Sequence, residues 1–141
     1  MPGEEVSTLF TLVHVVLENY DANSVVPGTN CTPTALLFRA STALGSSWSY
    51  VSTVGHSKAH TTAPIVSESA LASLSDGRML VVNRQSLQAY WYTTTTDANH
   101  TQWTPFKKMN SASMPAPHSV YPQMLRLLDG VLLLGGRAGV S

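Results

Sequence analysis

The chain has 141 residues, a formal net charge of zero and only 11% charged residues. That length holds one ordinary domain, and the balanced charge excludes both a basic footprint for nucleic acid and an acidic tail. A single cysteine, Cys31, excludes an intrachain disulfide. Ser and Thr are abundant and helix-forming runs are scarce, so the composition predicts an all-β protein.

The first 34 residues read as a lead strand and a loop. Residues 6–17 are largely apolar, and the longest apolar run, 9–17, is broken by Thr11 and His14. A strand and a short helix both accommodate this run, and its β-branched content favours the strand. It is too short to span a bilayer, and it lacks the basic lead and small-residue cleavage site of a signal peptide. No membrane span is expected. Residues 18–33 carry Asn19, Asp21, Asn23, Pro27-Gly28, Asn30 and Pro33, which mark a loop. Residues 35–40 read as a strand, 41–47 as a turn, 48–54 as a strand and 55–64 as a loop.

Residues 67–84 read as a β-hairpin. Ala70, Ala72 and Leu74 alternate with Leu71, Ser73 and Ser75, the period-2 pattern of a strand. Asp76-Gly77 predicts a two-residue type I′ turn, and residues 79–82 form the apolar return strand. Glu68 opens the hairpin and Arg84 closes it, so the two charges are expected to share one site at its open end. Residues 87–94 follow as a strand, 95–102 as a turn, and 103–109 as a short strand pushed to an edge by Pro105. Residues 110–118 are a Ser/Pro-rich loop. Strands over 120–128 and 131–134 flank the turn at Asp129-Gly130. The chain stops soon afterwards, at Ser141, as a fragment of a longer protein or a truncated gene product would.

An internal repeat emerges from this order. The run from Leu74 to Arg84 aligns with the run from Leu127 to Arg137, and Asp76 and Asp129 lie 53 residues apart. Trp48 and Trp103, each after a polar turn and before a short strand, lie 55 residues apart. Two markers with nearly one period point to four-stranded units of the size of a propeller blade. On this spacing 35–54 is the end of one blade, 65–109 a complete blade and 119–141 the start of the next. Both tryptophans follow turns with Asp-box spacing. Ser41 to Trp48 has Ala43 in the aspartate place. The second copy keeps Asp97, has Asn99 for the glycine, and carries one extra residue before Trp103. In such a turn the Asp side chain bonds turn amides, Gly or Asn supplies the positive φ, and Trp anchors the turn.

These residues resemble the sialidase superfamily, six-bladed β-propellers with Asp-box repeats. The likeness covers residues 35–141. The family pattern Asn-Glu-x-x-x-x-x-Leu-x-Asp-Gly-x-x-x-x-Asn-x-Arg runs in register with Glu68, Leu74, Asp76-Gly77 and Arg84. Ser67 replaces its first Asn, and Asn83 is displaced by one position. The resemblance implies a glycoside hydrolase acting on terminal sialic acids of glycoconjugates, with no cofactor. It gives Glu68 the role of activating a tyrosine nucleophile and Arg84 that of a carboxylate clamp. Arg137 repeats the Arg84 position and is a further substrate-binding candidate. Arginine suits the task because its planar two-pronged donor matches a carboxylate. Arg39, in Leu-Phe-Arg-Ala, does not fit the family's first arginine motif, so the site is incomplete within this chain. The alternative is a non-catalytic Asp-box or kelch-like propeller that binds carbohydrate or protein.

The remaining features carry less chemistry. His56 and His60 are four apart in a stretch that reads as a loop with no third ligand nearby, so no metal site is expected. Gly135-Gly136 leads into no helix and cradles no phosphate. Cys31 has no patterned His partner. Tyr90, Trp91 and Tyr92 read as packing between blades. Two glycosylation tripeptides, at Asn30 and Asn99, are compatible with a secreted or lumenal protein. Exposed blade edges offer a route to self-association.

Overall fold

The computed structural model describes residues 8–18, 31–40, 46–56, 68–84, 90–109, 119–127, 130 and 132–138. These residues form nine strands: β1 (Phe10–Glu18), β2 (Cys31–Ala40), β3 (Trp48–His56), β4 (Ser69–Ser73), β5 (Met79–Asn83), β6 (Trp91–Thr94), β7 (Lys107–Lys108), β8 (Ser119–Arg126) and β9 (Leu132–Ala138). The all-β class expected from composition is what the structure has, and no helix among the described residues is long and apolar enough to cross a membrane. The strands make three antiparallel sheets ordered β1-β2-β3, β4-β5-β6-β7 and β8-β9. Each sheet is a meander, so sequence neighbours are also hydrogen-bonded neighbours.

Two stretches read as loops are strands, each for a local reason. β2 begins at Cys31 and includes Pro33. β3 joins β2 only from Thr34 onward, so Pro33 lies where β2 has a single neighbour, β1. β3 runs on through Gly55 to His56. Gly55 sits under the ring of Phe106, where a built Cβ would meet Phe106 Cε2 at 2.5 Å. Missing a side chain there permits close packing rather than a turn. The expected strand over 87–94 is seen from Trp91 only, and residues 85–89 lie outside the described set.

The β4–β5 turn also differs from expectation. Gly77 has φ +84°, but among the described non-glycine residues only His100 has a positive φ. A type I′ turn needs positive φ at both central residues. Here Leu74 N donates to Arg78 O at 2.7 Å and Gly77 N to Leu74 O at 3.1 Å, a three-residue loop with glycine in the left-handed position. Asp76 holds this form, since its Oδ1 accepts the Arg78 amide at 3.1 Å and its Oδ2 pairs with the Arg78 guanidinium at 2.7 Å. The glycine geometry recurs. Gly130 has φ +87°, and its N–H donates to Leu127 O at 3.0 Å, the same turn 53 residues on. Likewise Trp48 pairs with Ala40, and Trp103 with Thr95.

The first two sheets share a core. Ala35, Leu37 and Val54 from one meet Val81 and Phe106 of the other, with Phe10, Leu12, Val51, Leu71, Trp91 and Trp103 packed around them. Fully burying each such Leu, Val or Phe stabilises by about 1.5–3 kcal/mol. A buried polar link crosses the same contact. Ser52 Oγ donates to His100 O at 2.7 Å and accepts from Trp103 Nε1 at 2.9 Å. The third sheet docks through β8 against β4, where Arg126 Nη1 donates to Ser73 O at 3.3 Å. The opposite face of the first sheet stays open. Trp48 is 43% exposed and Tyr50 56%, and Thr11, Val13, Phe38 and Trp48 line a groove of about 330 Å³.

Candidate functional site

The site grows from the open end of the β4–β5 hairpin. Register sets Ser69 opposite Asn83 at the last rung of the ladder. One residue further out, Arg84 N donates to Glu68 O at 2.8 Å, so the backbone holds these two residues side by side. Their side chains close the contact. Arg84 Nη1 lies 3.1 Å from Glu68 Oε1, with the two side chains 25% and 31% exposed. The expected sharing of one site by Glu68 and Arg84 is therefore seen as an ion pair, half withdrawn from water.

Three side chains brace the pair from below. Ser69 Oγ donates to Asn83 Oδ1 at 3.1 Å across the two strands. His14 Nε2 lies 3.0 Å from the same Ser69 oxygen. His14 belongs to β1 in the neighbouring sheet, 55 residues earlier. Asn83 is buried and Ser69 half-buried. Desolvation pushes the His14 pKa below its ordinary 6.5, and the Glu68 carboxylate opposes that shift. His14 thus feels Glu68 electrostatically and touches its chain neighbour directly. No local sequence signal flagged His14. Its role comes from one sheet packing on another.

The turn at Asp97 is held by the Asp97 side chain itself. Asp97 Oδ1 accepts the amides of Thr101 at 2.9 Å and Gln102 at 2.8 Å, and its Oδ2 accepts the Thr101 hydroxyl at 2.8 Å. These bonds, led by that from Gln102, hold its carboxyl below the usual range. The positive φ falls on His100 at 60°, not on Asn99, because the extra residue shifts the left-handed position by one. Trp103 then anchors the turn through Ser52.

The other expected residues come from other elements. Arg137 lies in β9 opposite Val120, in the third sheet. Arg39 is exposed on β2. Tyr90 is almost wholly buried, and Trp91 packs against the shared core, as their packing role requires. Cys31 begins β2. His60 lies outside the described residues, and among those described no three His, Cys, Asp or Glu side chains gather to hold a metal ion. Set against known proteins, the chain matches no family model and no curated sequence.

Proposed function

We propose that the chain is part of a sialidase-like β-propeller glycoside hydrolase acting on terminal sialic acids, with Glu68 and Arg84 as its share of the site. The observation that carries this reading is the Glu68–Arg84 ion pair at one end of the second sheet. An arginine held half-buried by a carboxylate is pre-oriented, so it meets a ligand carboxylate with little ordering cost. The propeller architecture draws support from the meander order, the complete four-stranded middle sheet and the recurrence of the Gly77 turn at Gly130. The Asp97 turn, with its three accepted hydrogen bonds, agrees with the Asp-box reading. Arg137 remains a candidate for substrate contact in an adjoining repeat.

The same ion pair favours a second reading. The Glu68 carboxylate already has its Oε1 engaged by Arg84 and so is less open to a tyrosine hydroxyl. That fits a non-catalytic propeller that binds carbohydrate through Arg84. Titration of the chain with sialyllactose and with lactose, followed by ligand-detected NMR, tests what both readings share. Binding of the sialylated sugar alone, reduced at least tenfold by Arg84→Ala, is expected. Equal signals from the two sugars, or an unaffected Arg84→Ala, refute both. Turnover of a fluorogenic sialoside by the full-length protein, abolished by Glu68→Ala, separates the hydrolase from the binding module.

A further inference from the structure

We propose that His14 is the positioning residue of the Glu68–Arg84 pair, acting across the boundary between the first and second sheets. The inference rests on the site proposed above, but it is carried by hydrogen bonds outside that pair. Ser69 gives its hydroxyl proton to Asn83 Oδ1. Its oxygen therefore accepts from His14, which places the imidazole proton on Nε2. The donors run in one direction, from His14 to Ser69 to Asn83. Ser69 and Asn83 are register partners, and Glu68 and Arg84 are the residues immediately beyond them. Whatever steadies the Ser69–Asn83 rung thus also steadies the next pair out, where the bond from Arg84 N to Glu68 O sets the two charges side by side.

His14 is well placed for this. It sits in the middle of β1, opposite Ala35 of β2, where β1 is paired with β2 along its whole length. Its neighbours of the same face, Phe10 and Leu12, pack against the core shared with the second sheet. That packing carries the imidazole to Ser69. Among the described residues, the charges paired at this end are Glu68, just before β4, and Arg84, just after β5. β2 presents Ala35 at the matching position and adds no charge. Removing the imidazole takes away the His14 contact to the Ser69 oxygen, and the end of a ladder frays most readily. The ion pair then opens and closes faster, although both charges remain.

The test uses the full chain and compares His14→Leu with His14→Gln, whose amide keeps a donor. Exchange of the Arg84 Nη protons with water, followed by low-temperature NMR without ligand, reads the ion pair, which is made through Nη1. The expected result is exchange at least threefold faster in His14→Leu and close to wild type in His14→Gln. Sialyllactose affinity should fall severalfold in His14→Leu and recover in His14→Gln. Thermal melts of both variants accompany these measurements. If His14→Leu lowers the melting temperature while Arg84 exchange stays at the wild-type rate, His14 is merely structural and the proposal is overturned. If His14→Gln exchanges as fast as His14→Leu, the donor is not what matters, and the proposal fails again. If Arg84 exchange responds as expected while no variant, wild type included, binds the sugar, the positioning role stands and the sialic acid reading falls.

Discussion

Gly55→Ala tests how tightly the first two sheets meet. A Cβ at Gly55 would lie 2.5 Å from Phe106 Cε2, 3.3 Å from Cζ and 3.5 Å from Cδ2. Carbon atoms in contact prefer about 3.5–4.0 Å, so the ring must retreat by about 1 Å. Phe106 is only 9% exposed and belongs to the core with Leu37, Val54 and Val81, so it has little room to move. Overpacking of this kind costs about 1–3 kcal/mol. Alanine also restricts the unfolded chain, which returns about 0.4–1 kcal/mol. The net loss is about 1–2 kcal/mol. For a chain of this length that lowers the melting temperature by about 3–8 °C. Thermal unfolding followed by circular dichroism measures it. The double variant Gly55→Ala, Phe106→Leu should lose less than the sum of the two single changes, because the smaller side chain makes room. A melting temperature equal to or above wild type for Gly55→Ala, or strict additivity in the double variant, would refute the close approach.

Two pH-linked predictions follow from the site and the turn. His14 has a folded pKa below its ordinary 6.5, so below that pH the unfolded chain takes up the proton first and the native state loses stability as pH falls. The stability difference between wild type and His14→Gln should therefore shrink as urea melts are moved from pH 7.5 to 5.5, and a constant or growing difference contradicts the shift. Asp97→Ala removes the acceptor of two turn amides and should lower the melting temperature at neutral pH. The depressed Asp97 carboxyl stabilises above its unfolded value of 3.8 and loses that contribution as pH falls through its folded value, so the gap should close in strong acid. A gap that persists at pH 2 would count against it.

The strands and the repeat were legible because they are written in local alternation and in Gly positions. Leu71 and Val81 face the shared core as period-2 spacing requires, and Gly77 and Gly130 both take a positive φ. The turn type was not legible, because the Asp76 side chain selects between two loop lengths through bonds to Arg78 that a dipeptide pattern does not encode. Pro33 and Gly55 were misread as loop markers. Each is allowed in a strand by a neighbour, an absent third strand in one case and the Phe106 ring in the other. The Glu68–Arg84 pair was visible from hairpin geometry alone. His14 was not, since it reaches Ser69 only after two sheets have packed.

The two tryptophans of the repeat end in different surroundings. Trp103 is tied to Ser52 and packed on the shared core, whereas Trp48, at the matching place on the first sheet, is 43% exposed. A shielded indole emits towards the blue and resists quenching, while a wet one emits towards the red and is quenched by iodide. The chain therefore carries its own optical gauge. The red, quenchable part of its fluorescence reports on the open face beside Phe38, and any molecule or further sheet that settles there will announce itself by dimming that component's response to iodide.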